Sequence, residues 1–191
     1  MIYLLAKLIY AISGWKITGT IPKDIKHCIV LMAPHTSNWD FVIGFLGFAI
    51  LRLKSHSLIK KEAFVFPLGL IVSAMGGVPV DRKHASHVVI SVAHEFHIRK
   101  EFILIVAPEG TRSLNRHWKR GFYNIAMLAK VPIIFGYLDY KHKVAGLEDV
   151  FYPTGNYEAD LAVIEAFYAE KTARFPEKFN LSPVNRKNIH I

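Results

Sequence analysis

His35 and Asp40 frame the segment HTSNWD, which follows directly on the apolar run CIVLMA. A carboxylate in the first turn of a helix can bond one ring nitrogen of a histidine at the preceding strand end. That bond fixes the tautomer and leaves the other nitrogen free as a base near neutral pH. This is two thirds of a nucleophilic triad, with the serine missing. No G-x-S-x-G elbow occurs in the chain, so the hydroxyl to be activated has to come from a substrate. The same residues also admit a plainer duty, in which Asp40 complements the helix dipole and His35 caps a loop.

A second cluster, Pro108-Glu109-Gly110-Thr111-Arg112-Ser113, follows the run FILIV and leads to Arg116, Lys119 and Arg120. Gly110 lets backbone amides approach a ligand, and Thr111 and Ser113 offer hydroxyls. Arg112 can grip a phosphate bidentately, at about 1.5–3 kcal/mol per charged hydrogen bond. Together they form a candidate anion cradle, although Arg116 and Lys119 taken singly read as a solvated basic turn. A third piece, Val80-Asp81-Arg82, ends a short strand and aims Arg82 at the same rim. His84, His87, His94 and His97 supply two H-x-x-H spacings, the one signal that favours a metal. HEFHI is not H-E-x-x-H, and no cysteine or carboxylate cluster joins it, so these histidines read as the polar face of a helix.

The elements that must position these groups alternate along the chain. CIVLMA, SLIK, VPV, FILIV and VPIIFGYLDY are strand candidates. Between them lie helical stretches: WDFVIGFLGFAILRL, capped by Ser37 or Asn38, then FVFPLGLIVSAMGG, read as a second buried helix broken by Pro67 and closed by Gly76 and Gly77. HASHVVISVAHEFHIRK places Ala85, Val88, Val89, Val92 and Phe96 on one face. KRGFYNIAMLAK is a further helix, and NYEADLAVIEAFYAEKTARF is a last one with acids at its start and bases at its end. Such alternation predicts an α/β fold, with a mostly parallel central sheet flanked by helices and sites gathered beyond the carboxyl ends of the strands.

The 191 residues suit one domain, 1–191. With 52% apolar and 20% charged residues, disorder and low complexity are excluded. A net charge of +9 favours phosphate-bearing partners. Nucleic acid is disfavoured among these, because no helix-turn-helix, zinc-finger or RNP pattern is present and the basic residues cluster beside His35 and Asp40. Cys28, the single cysteine, sits in an apolar run as core filling and excludes an internal disulfide or a cysteine-ligated zinc. The first fifteen residues are apolar except for Lys7, too short a stretch to span a bilayer and without the layout of a signal peptide. If helical, this segment suits either burial in the core or a membrane interface with Tyr3, Lys7 and Trp15 at the boundary.

The blocks HTSNWD, GGVPVDR, APEGTRS and VPII occur in this order between residues 35 and 134. Together they resemble the glycerolipid acyltransferases typified by 1-acylglycerol-3-phosphate (lysophosphatidic acid) acyltransferase. The resemblance implies a catalytic pair, His35 and Asp40, and a substrate-binding set of Arg82, Glu109, Gly110, Thr111, Arg112 and Lys119. Glu109 there either orders its loop or bonds a glycerol hydroxyl. It further implies an acyl thioester donor (acyl-CoA or acyl carrier protein), a phosphorylated lipid acceptor, no cofactor or metal, and peripheral or monotopic attachment at the cytoplasmic face of a membrane. Pro34, where the family often has Asn, and Phe135-Gly136 after the last block depart from the pattern.

Overall fold

The computed structural model describes residues 2–74, 76–80 and 85–181. Its elements run α1 (Ile2–Ser13), β1 (Lys16–Gly19), β2 (His27–Met32), α2 (Asn38–Leu51), β3 (Ser55–Lys60), α3 (Leu68–Ala74), β4 (Gly77–Val80), α4 (Ala85–Ile98), β5 (Phe102–Val106), α5 (Gly121–Ala129), β6 (Ile133–Asp139), β7 (Val144–Phe151) and α6 (Tyr157–Tyr168). The strands form one seven-stranded sheet in the order β1-β7-β6-β2-β5-β3-β4. Every neighbouring pair is parallel except β6 and β7, which run antiparallel. The expected α/β architecture is therefore present.

Strand alternation divides the core between the two faces of the sheet. Ile29, Leu31, Phe102, Leu104, Ile133 and Phe135 point to one face, where they meet Val92 and Phe96 of α4, Phe122 and Ile125 of α5, and Ile164 and Tyr168 of α6. Cys28, Val30, Ile103 and Ile134 point to the other and pack against Phe48 of α2. Because both faces are covered, β2, β5 and β6 read as unbroken apolar runs. Cys28 is fully buried there, and burial pushes its thiol up to about 12.

Two sequence expectations are corrected. The stretch 64–75 is not a buried helix: α3 begins only after Pro67, and Val65, Phe66 and Leu70 lie exposed beside the β3–β4 end of the sheet. The last helix stops at Tyr168 instead of running to Phe175. Its end is pinned because the Tyr168 hydroxyl donates to the Leu31 carbonyl, and the Tyr140 N–H then takes the Thr172 carbonyl at 2.9 Å. Residues 171–175 thus return over the sheet edge as an extended segment.

The apolar first segment is buried along one face only. Ala6 and Tyr10 of α1 are buried, and the Tyr10 hydroxyl donates to the Ile43 carbonyl of α2 at 2.7 Å. The opposite face carries Leu4 at 70% and Ile12 at 79% exposure, with Leu5 and Leu8 also bare. Among the described residues, no helix is long and apolar enough to cross a membrane.

Candidate functional site

Parallel pairing brings the carboxyl ends of β2, β5 and β6 to one edge, with β2 in the middle. The loop after β2 turns into α2 through a capping box: the Ser37 hydroxyl accepts from the Trp39 N–H at 3.1 Å, and the Asp40 carboxylate reaches back to the Ser37 N–H at 2.8 Å. Ser37 is thus the cap, and Asp40 is fixed one turn into the helix. The same carboxylate oxygen, Oδ2, accepts from the Thr36 N–H at 2.8 Å and lies 3.3 Å from His35 Nδ1. Asp40 is 5% exposed and His35 24%, so the carboxylate is sheltered while the imidazole reaches solvent.

The other oxygen of Asp40 is held from β6. The Tyr140 hydroxyl donates to Oδ1 at 2.6 Å, and Trp15 packs edge-on against the Tyr140 ring at 5.1 Å. Burial pushes the Asp40 carboxyl upward, but hydrogen bonds from His35, Tyr140 and the Ser37 backbone outweigh it and hold the group below its ordinary value. Burial and the hydrogen bond to Asp40 raise the Tyr140 phenol well above its usual range, so it stays a donor. No motif marks Tyr140. The only sequence sign was its place at the end of a predicted strand.

The loop after β5 underpins His35 from the other side. Glu109 Oε1 accepts from the His35 backbone N–H at 2.8 Å. Glu109 is 2% exposed, and its Oε2 has no hydrogen-bond partner. Burial pushes its carboxyl up to about 7. Asn115 Nδ2 donates to the Glu109 carbonyl at 2.8 Å, while Asn180 Nδ2 donates to the carbonyls of Asn115 and Arg116, so the loop is tied to the segment after α6.

Gly110 adopts φ +68°, and a Cβ there would come within 3.1 Å of Lys119 Cγ, so the Lys119 stem crosses this glycine. Thr111, Arg112 and Ser113 are exposed on the same loop. Arg82, with Asp81 and His84, lies outside the described residues. His97 Nδ1 sits 2.8 Å from the Ala93 carbonyl of its own helix. Among the described residues, no three His, Cys, Asp or Glu side chains are grouped so that they could hold a metal ion.

One turn along α2 from Asp40 a small apolar cleft opens, with a volume of about 20 Å³. Gly44, Gly47, Phe48 and Leu51 form its helical wall, and Met32, Tyr137, Leu138 and Leu147 form its sheet wall. Asp40, Gly44, Gly47 and Leu51 share one helical stripe, so the cleft continues the line on which the carboxylate sits.

No curated protein matches the chain. The solved structure of the 1-acyl-sn-glycerophosphate (LPA) acyltransferase PlsC from Thermotoga maritima is similar in fold: TM-score 0.58, 18% identity, 90% of this chain and 80% of that one covered. A family model described as Acyltransferase matches residues 15–135, which hold β2, α2, β5 and the whole loop carrying Glu109 to Lys119. With that match spanning well over half of its residues, the chain belongs to the Acyltransferase family.

Proposed function

We propose that this protein moves a fatty acyl group from an acyl thioester, of coenzyme A or acyl carrier protein, to a hydroxyl of a lysophospholipid such as 1-acylglycerol-3-phosphate. The observation that carries the proposal is the 3.3 Å approach of His35 Nδ1 to a buried, multiply bonded Asp40. Nδ1 is thereby occupied, and Nε2 is the nitrogen left for the substrate. It takes the proton of the acceptor hydroxyl as the oxygen attacks the thioester carbonyl. The tetrahedral intermediate collapses with departure of the thiolate, whose ordinary pKa near 8.5 makes it a good leaving group. A base so positioned supplies about 10²–10⁴ in rate.

Arg112 and Lys119, joined by Arg82, hold the acceptor phosphate and so place its hydroxyl against His35. An acyl chain enters at the apolar cleft along α2, which has to widen to take it, each buried methylene contributing about 0.8 kcal/mol. The bare face of α1, continued by exposed Trp39, Phe41 and Val42 on α2, lies on a membrane surface and seats the protein there as a peripheral or monotopic enzyme on the cytoplasmic side.

The test is release of free thiol from acyl-CoA and from acyl carrier protein across a panel of acceptors, with mass spectrometry of the lipid product. His35→Ala should fold as the wild type does and lose thiol release by about 10²-fold or more. Arg112→Ala should chiefly raise the acceptor KM. Unchanged release in His35→Ala, or equal losses for Arg112→Ala with phosphate-free acceptors, would contradict these assignments.

A further inference from the structure

The corrected end of α6 places a cation that no sequence block marks beside the catalytic pair. Arg174 lies on the extended return segment, anchored where the Phe175 N–H donates to Thr36 Oγ1 at 3.2 Å. Its guanidinium carbon is 5.6 Å from the ring centre of Trp39, 5.9 Å from that of Tyr140 and 5.7 Å from that of Phe175. Lys178 adds a second cation 4.3 Å from the Phe175 ring centre. Among the described residues, no ion pair takes up Arg174 or Lys178.

Three features make this more than a surface arginine. The aromatic bed fixes the guanidinium plane and lowers the entropy lost when it binds. Its charge acts on the Tyr140 phenol, the group that donates to Asp40, so it is connected to the pair by one hydrogen-bonded side chain. The surface around it is apolar: Trp39 is 54% exposed, and Phe41, Val42 and Phe175 are also open. A fixed cation set among exposed aromatic and aliphatic side chains suits an anion carried on an amphiphile.

The geometry points to Arg174 as a second anion-binding residue, one that takes the phosphate of an amphiphilic lipid on the β6 flank of His35, across from the Glu109–Lys119 loop on the β5 flank. This rests on the proposed acyl transfer only for its kinetic arm. The phosphate belongs either to the acceptor or to a neighbouring bilayer lipid, and the two sources are separable.

The experiment compares wild type, Arg174→Gln, Arg174→Lys and a charge control, Lys23→Gln, in the loop before β2 at the opposite end of the sheet. Each full-length protein is titrated with phosphatidylcholine vesicles, with vesicles containing one fifth phosphatidic acid, and with a short-chain lysophosphatidic acid below its micelle concentration, in binding and in turnover. Loss of one charged hydrogen bond predicts a tenfold to hundredfold effect, about what such a bond is worth.

If the acceptor is the source, Arg174→Gln raises the short-chain acceptor KM by that factor with kcat within about threefold, and Arg174→Lys recovers part of it. If a bilayer lipid is the source, the selective affinity for the acidic vesicles falls by that factor while the soluble acceptor KM holds. Either supports the assignment. Unchanged behaviour in both arms, or an equal loss in Lys23→Gln, overturns it. Should the wild type transfer no acyl group at all, the proposed activity fails, and the vesicle and short-chain lipid binding arms still decide Arg174.

Discussion

Glu109 holds the backbone of His35, not its ring: Oε1 accepts from the His35 N–H at 2.8 Å while Oε2 lies buried without a partner. The carboxyl thus fixes the height of the imidazole at the end of β2. Burial raises it from an ordinary 4.5 to about 7. Between those values the folded chain keeps a proton that the unfolded chain has released, so stability falls as pH rises through this window. Glu109→Gln keeps an oxygen for the His35 N–H but cannot ionise. Thermal unfolding from pH 5 to 8 should show the wild type losing several degrees that the variant does not lose, at about 2–4 °C per kcal/mol for a chain of this size. Parallel slopes for the two proteins would show that Glu109 ionises in the folded chain at the same pH as in the unfolded one.

Much of this site was legible before any coordinates. The apolar runs 28–33, 102–106 and 131–140 had to be central strands, and Ser37 followed three positions later by Asp40 marked a helix start. The two strands at one end of the sheet, β1 and β7, were not legible. β1 is only KITG, and β7 carries Gly146, Glu148 and an Asp149 with φ +47°, opposite a register shift at Ile134/Phe135, so neither shows a clean alternation. Arg174 was read as a base completing a helix dipole. It left that duty because Tyr168 is tied to Leu31, a contact between residues 137 positions apart and invisible to any local pattern. Tyr140 was hidden for the same reason, since its partner lies 100 positions away.

Tyr140→Phe tests whether the phenol sets the working state of Asp40. Without its donated bond the Asp40 carboxyl loses one of the contacts that hold it below its ordinary value, so it keeps its proton to higher pH. Turnover at pH 7 should drop about tenfold, and the acid limb of kcat/KM should move to higher pH with the acceptor KM nearly unchanged. A lower Tm with an unmoved pH profile would reduce Tyr140 to a packing role.

The apolar cleft makes a prediction about chain length. A Cβ at Gly44 would meet only Met32 Cε, at 3.8 Å, whereas one at Gly47 would strike the Tyr10 hydroxyl at 2.8 Å. Gly44→Leu should therefore fold at least as well as the wild type, helped by about 1 kcal/mol of helix propensity. Its bulk would fill the cleft and shift preference toward shorter acyl donors, by about fourfold for each methylene displaced. An identical chain-length profile would place the acyl chain elsewhere. Gly47→Leu serves as the contrast and should lose stability.

Membrane seating is tested on the outer face of α1. Leu8→Glu with Ile12→Glu replaces two exposed side chains that contact nothing essential to the core, so Tm should stay within about 1–2 °C. Vesicle binding should weaken by at least about tenfold, because each apolar side chain contributes about 1.5–3 kcal/mol when removed from water. Equal retention on vesicles would mean that this face does not touch lipid.

The pairing of β1 with β7 has a consequence during synthesis. Lys16 to Gly19 lie against Val144 to Leu147, and Lys143 Nζ reaches the Ser13 carbonyl at 3.0 Å. The clasp that fixes the base of the first helix therefore forms only after Leu147 has left the ribosome. Until then a greasy stretch trails from the nascent chain with its anchor strand unmade, which invites capture by chaperones or early adsorption to a nearby bilayer.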